Sequence, residues 1–224
     1  GSIDGFILSL SAETQLKNEY THLKELLDQG IPIVLFDRVT SEIECDKVVL
    51  NDKEIAREAV EHFISAGSKN IALVTTEKYF NVSESRRYGY LDALEAHNIK
   101  IEENLILTLP HDMENDRLIT EFFQNNKVDA VLCVNEIFAI QCMSIIQNLG
   151  FNVPNDISII GFTNGILSKF SVPRLSTVAQ HGETMGERAA KLLINRMEWE
   201  DEIEEPFKTE VINATLIKRG SSIN

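Results

Sequence analysis

The sequence predicts an α/β protein made of two doubly wound parallel-sheet lobes. Three observations carry that prediction. Short apolar, β-branched runs alternate almost without exception with longer segments of helical periodicity. The runs at 31–36 (IPIVLF), 71–75 (IALVT), 130–134 (AVLCV) and 157–160 (ISII) are continuous rather than alternating, as strands buried on both faces are. About eight such strands are more than one small sheet needs, so the chain divides near Gly67.

Taken in order, residues 3–10 (IDGFILSL) form a strand that ends in small polar residues. Residues 12–29 read as one helix, with Leu16, Tyr20, Leu23, Leu26 and Leu27 at helical spacing and Gly30 closing it. The strand at 31–36 leads into Asp37-Arg38, and 47–50 is a short third strand. Asn51-Asp52-Lys53-Glu54 starts a helix like a capping box, and Ile55, Ala59, Val60, Phe63 and Ile64 share one face. After the strand at 71–75 comes a polar, aromatic loop (76–83), then a helix at 84–97 with Tyr88, Leu91, Ala93 and Leu94 facing inward. A strand at 105–109, a helix at 116–125, a strand at 130–134 and a helix at 138–149 follow, the last stopped by Gly150. The Pro154-Asn155-Asp156 turn opens the strand at 157–160, which ends at Gly161-Phe162-Thr163-Asn164-Gly165. A helix at 184–197, a solvated acidic run at 198–205 and a last strand at 210–218 complete the chain.

Composition excludes several functions. The 224 residues carry 35 acidic and 21 basic side chains, a net charge of −14, so the chain's own surface is a poor partner for phosphate backbones. No apolar run approaches the ~20 residues of a membrane-spanning helix. Cys45, Cys133 and Cys142 are an odd set without CxxC spacing, which argues against a disulfide framework or zinc site and fits a reducing cytosol. There is no GxSxG, HExxH, P-loop or GxGxxG, and the five histidines lack metal-ligand spacing. No catalytic residue, metal or cofactor is expected.

The order of the pieces resembles the effector-binding core of the lactose/galactose-repressor (LacI/GalR) family of bacterial transcription regulators. Residues 3–8 (IDGFIL) resemble that family's (V)DG-apolar strand, and 30–34 (GIPIV) with Asp37-Arg38 its GIPVV…DR segment. Residues 67–74 (GSKNIALV) are similar to GHRRIAFI, 86–90 (RRYGY) to R…GY, and 134–136 (VNE) to ANDxxA. Residues 153–162 (VPNDISIIGF) resemble VPEDISVVGFD, 173–180 (PRLSTVAQ) PPLTTVxQ, and 185–190 (MGERAA) MGxxAA. No one of these motifs is specific; all of them in order across nearly the whole chain are. The resemblance implies two lobes in the style of type I periplasmic binding proteins, 3–66 plus 178–201 and 67–177 plus 207–220, joined by three crossings, with the effector in the cleft between them. It also implies a homodimer, a cytoplasmic location, a sugar-like effector and allosteric coupling to DNA through a helix-turn-helix headpiece. Two departures stand out. The chain starts at what would be the family's third strand, so it is expected to be a fragment with an incomplete first lobe. Thr163 stands where sugar-responsive members carry an aspartate, which removes a charge while keeping a hydrogen-bonding group. A periplasmic sugar-binding protein of a transport system is the competing class.

Ligands in open α/β sheets sit at the carboxyl ends of the strands. Ser9 and Asp37 end two strands of the first lobe, although Asp37 with Arg38 equally suits a turn or an ion pair. Thr163 and Asn164 lie in the polar loop after the strand at 157–160. The resemblance places Arg86 at the family's ligand-contacting arginine, where a guanidinium offers a rigid fork of donors; otherwise it is a surface helix arginine. Asn135, a ligand contact by the same resemblance, also suits a helix N-cap. The resemblance adds Gln180. Phe80, like Tyr79, sits in a loop where an aromatic can stack on a sugar or tuck into the core.

Overall fold

Those continuous apolar runs become the central strands of two sheets in the computed structural model, which describes residues 3–76, 81–110, 115–198 and 206–223. The chain groups into two compact units, 1–51 with 79–82 and 181–213, and 52–78 with 83–180 and 214–224.

In the first unit, β1 (Phe6–Leu8), β2 (Ile33–Phe36), β3 (Asp46–Leu50) and β9 (Thr209–Ile212) run parallel in that order. Alternate residues of β2 serve opposite faces. Ile33 and Leu35 join Tyr20, Leu23, Ile43 and Cys45 in one apolar cluster, and α8 (Gly182–Met197) packs along β1–β3. The helix expected at 12–29 is two helices, α1 (Ala12–Lys17) and α2 (Thr21–Asp28). Asn18 breaks it by adopting a left-handed conformation (φ 51°) and donating its N–H to Gln15 and Thr14 carbonyls. Asparagine tolerates that region better than most residues. The break leaves Leu16 exposed while Tyr20 and Leu23 are buried.

In the second unit, β4 (Ile71–Thr76), β5 (Ile106–Leu109), β6 (Ala130–Cys133), β7 (Ser158–Phe162), β8 (Ser176–Ala179) and β10 (Thr215–Ile217) form a sheet ordered β10-β8-β7-β6-β4-β5. All pairs are parallel except β10 with β8. From β4 the chain crosses to β5 on one side and then returns to β6 on the other, so the strand order reverses between β4 and β6. In open α/β sheets, ligands bind outside the strands' carboxyl ends at such a switch point. The helices are α3 (Asp52–Ser65), α4 (Asn81–Ala96), α5 (Asp116–Asn125), α6 (Glu136–Asn148) and α7 (Ile166–Phe170). Leu73, Val74, Val131, Leu132, Ile159 and Ile160 are fully buried in one core. Burying each such side chain stabilises the fold by about 1.5–3 kcal/mol.

Several boundaries differ from expectation. The units divide at 51/52 rather than at 66/67, because Ile55, Ala56, Ala59, Val60 and Phe63 of α3 pack into the core of the six-stranded sheet. The last strand is two strands: β9 pairs with β3, and β10, beginning two residues after Asn213, pairs with β8. On α4, Tyr90 rather than Tyr88 faces inward; its hydroxyl donates to the Ile71 carbonyl at 2.9 Å, and burial pushes its pKa up. β7 continues through Gly161 and Phe162. A Cβ at Gly161 would lie 2.6 Å from Ala139 Cβ, so glycine lets α6 settle against the strand while pairing continues.

Candidate functional site: the carboxyl edge of the six-stranded sheet

Arg86 organises this edge. It lies in the second turn of α4, and Gly89, one turn later, faces the first turn of α3. A Cβ at Gly89 would collide with the Lys53 carbonyl oxygen and stand 2.9 Å from Ala56 Cβ, so only glycine permits this approach. The approach brings Arg86 to Asp52, the first residue of α3. Arg86 Nε donates to Asp52 Oδ1 at 2.7 Å and Nη1 donates to the Val134 carbonyl oxygen at 2.7 Å. The guanidinium carbon sits 4.0 Å from the centroid of the Phe162 ring, within cation–π range. Both members of the ion pair are buried, with side chains 5% and 7% exposed. Nη2 is buried without a hydrogen-bond partner among the described residues. An orphaned donor inside a protein costs about 1–3 kcal/mol, and a ligand acceptor would relieve that cost.

The strand register gathers other polar groups here. Val74 lies opposite Cys133, Cys133 opposite Gly161, and Phe162 opposite Val178, so Thr76, Asn135, Thr163 and Gln180 lie at or just beyond neighbouring strand ends. Thr76, the last residue of β4, buries a hydroxyl that also lacks a partner among the described residues. Asn135 is the N-cap of α6, and its Oδ1 accepts from the Phe138 N–H at 2.8 Å. The cap uses an acceptor and leaves the amide donors for other partners. Thr163 and Gln180 are half-buried. Asn164 is engaged elsewhere: its Oδ1 accepts from Arg219 Nη2 at 2.6 Å, while Arg219 Nη1 reaches Ser168 Oγ and the Leu175 carbonyl. Glu136 Oε1 accepts from the Ser168 N–H at 2.9 Å, tying the same loop to α6.

In the first unit, Ser9 and Asp37 follow the paired strands β1 and β2. Arg38 Nε donates to Ser9 Oγ at 3.4 Å, and Asp37 takes a left-handed conformation (φ 57°). Phe80 and Tyr79 lie outside the described residues. A cavity of about 860 Å³ in this unit, lined by Leu27, Ile31, Pro32, Met197 and Phe207 among others, opens at the amino ends of β1 and β2, away from Ser9 and Asp37.

Two residues of the carboxyl edge were not singled out by sequence. Asp52 reads as a first-turn helix acid, and its partner stands 34 positions away. Thr76 reads as loop, and only the length of β4 places it at the switch point. Among the described residues no cluster of His, Cys, Asp and Glu could hold a metal. Cys45, Cys133 and Cys142 are free and buried; burial pushes Cys133 well up and Cys45 to about 11, so neither is a poised nucleophile.

The family model for a periplasmic binding protein-like domain matches residues 60–222. The chain belongs to that family. Its relatives include the probable HTH-type transcriptional repressor ExuR of Bacillus subtilis (strain 168), 34% identical over 198 residues, covering 86% of this chain and 57% of that one. The chain thus spans a little over half the length of that relative. Among solved structures, a putative transcriptional regulator LacI from Bacillus cereus subsp. cytotoxis NVH 391-98 is 28% identical with a TM-score of 0.83, covering 98% of this chain and 76% of that chain. A LacI family transcriptional regulator from Enterococcus faecium with bound ribose is 26% identical with a TM-score of 0.81, covering 98% and 80%. The resemblance to the effector-binding core of the LacI/GalR family therefore holds across the chain, and these relatives are transcription regulators. No helix among the described residues is long and apolar enough to cross a membrane.

Proposed function

We propose that this chain is the sensing part of a cytoplasmic, non-enzymatic LacI-type transcription regulator, and that it binds a sugar or sugar derivative. The observation that carries the proposal is the buried guanidinium of Arg86 at the switch point, with Nη2 lacking a partner and Thr76, Asn135, Thr163 and Gln180 on adjoining strand ends. Hydroxyl-rich ligands need such a mixture of fixed donors and acceptors above an otherwise apolar core. Within the first unit, Ser9 and Asp37 offer polar groups at the carboxyl edge of its own sheet. The ribose bound to the Enterococcus faecium relative supports this ligand class. The transport-protein alternative is not favoured, since the relatives are regulators.

Signalling follows from differential affinity: an effector that binds one arrangement of the chain better than another shifts the population toward it. In this proposal a helix-turn-helix headpiece carries that shift to DNA. Homodimerisation belongs to the same proposal. Ile166 and Phe170 of α7, and Val172 after it, are exposed apolar side chains suited to a second copy. A thermal-shift screen against pentoses, hexoses and disaccharides tests the ligand class, because a ligand that binds only the folded chain must raise its melting temperature. At least one saturable rise that Arg86→Ala abolishes is expected. A flat screen on a chain that melts cooperatively contradicts the sugar reading.

A further inference from the structure

We infer that Asp52 makes the Arg86 edge select neutral, hydroxyl-bearing ligands and reject phosphates and carboxylates; the inference rests on that edge being the effector site. Arginine ordinarily recognises anions by presenting two parallel N–H donors to two oxygens. Here the fork is already engaged. Nε is taken by Asp52, which breaks the side-on Nε/Nη2 pair, and Nη1 spends one of its two N–H groups on the Val134 carbonyl, each at 2.7 Å. Nη2 is the one guanidinium nitrogen without a partner among the described residues, and it suits a lone acceptor oxygen, such as a hydroxyl or a ring oxygen.

Charge leads the same way. Water screens little between two side chains only 5% and 7% exposed, so the Asp52 carboxylate offsets the guanidinium before any ligand arrives. An incoming anion meets Asp52 beside Arg86. Glu136, in the first turn of α6 next to Asn135, adds a second carboxylate at this edge. Arg219, the other cation tied to the edge, gives its Nη donors to Asn164, Ser168 and the Leu175 carbonyl. The Phe162 ring under Arg86 stabilises a cation and brings nothing to an anion. Asp52 is thus a specificity-determining residue that acts through Arg86.

Inorganic phosphate is the probe that tests this, titrated by calorimetry at constant ionic strength; no sugar is needed. The wild-type chain is expected to show no saturable phosphate binding. Asp52→Asn, which keeps the shape and removes the charge, should bind phosphate at least ~10-fold more tightly than wild type, as one unopposed buried cation would. Asp52→Ser, which keeps an oxygen acceptor at the start of α3, is the second variant should the first fail to fold. Adding Arg86→Met to either should erase the gain, which a purely structural role for Asp52 does not predict. Phosphate binding by wild type that Arg86→Met removes would overturn the inference. So would folded Asp52 variants as inert to phosphate as wild type, or a gain that survives Arg86→Met. A flat sugar screen beside the expected phosphate pattern would sink the sugar reading and leave the charge selectivity standing.

Discussion

The two parallel sheets present their carboxyl edges in different ways. In the six-stranded sheet the polar groups are built into the core: Arg86 is 4% exposed, held by Asp52 and Val134, and stacked on Phe162. In the four-stranded sheet Ser9, Asp37 and Arg38 are half-buried, and the bond between Ser9 and Arg38 is long at 3.4 Å. One edge is organised before a ligand arrives, whereas the other is polar but loosely fixed. Preorganised groups lose less freedom on binding, so affinity and selectivity should reside mainly in the second unit.

The widest separation between the two edges should come from Arg86→Ala set against Ser9→Ala. Removing one member of a buried ion pair costs on the order of 3–5 kcal/mol, whereas a half-buried serine hydroxyl with a long hydrogen bond should cost less than ~0.5 kcal/mol. Urea unfolding measures both, and equal losses would erase the distinction. Gly89→Ala should follow, at roughly 1–3 kcal/mol, because the added methyl meets the Lys53 carbonyl and the overpacking outweighs the ~1 kcal/mol gain in helix propensity. The same shift should move Arg86 from Asp52, so its effector affinity should fall with stability. Asn135→Ala should cost about 1 kcal/mol through the lost cap of α6, and Asn135→Ser should restore it. If Asn135 also touches the effector, Ser restores stability without restoring binding.

The smallest effect concerns His62, whose Nε2 faces Ser222 Oγ at 3.3 Å on the carboxyl-terminal segment. Burial, then the nearby Lys218 charge, lowers its pKa below the ordinary 6.5, while a backbone hydrogen bond with Ile223 opposes the shift. The unfolded chain therefore takes up the proton first as pH falls. The stabilisation is fully present above pH 6.5 and fades as pH drops through the lowered folded value. His62→Gln should flatten the stability profile between neutral pH and that value, and an unchanged slope would remove His62 from this role.

Much of the fold was legible because continuous apolar runs and helical spacing report burial directly; α5 runs from Asp116 to Asn125 as the periodicity predicts. Features that depend on partners distant in sequence were not. Nothing local says that α3 docks with the second sheet, or that residues 209–217 serve two sheets in turn. Asn18 was readable in principle as a helix-ending residue, but the apolar spacing on either side of it masked the break. At the candidate site, motif resemblance pointed to Arg86 and Asn135. Asp52 was hidden, since a first-turn helix acid and a buried counter-ion look alike until the fold brings Arg86 to it.

The most direct test is a crystal structure of this chain with a ligand from the sugar screen. An acceptor oxygen within hydrogen-bonding reach of Arg86 Nη2, with the Nε–Asp52 bond retained, is the predicted result. A ligand seated away from Arg86, or one that displaces Asp52 to take the whole guanidinium fork, would contradict the account.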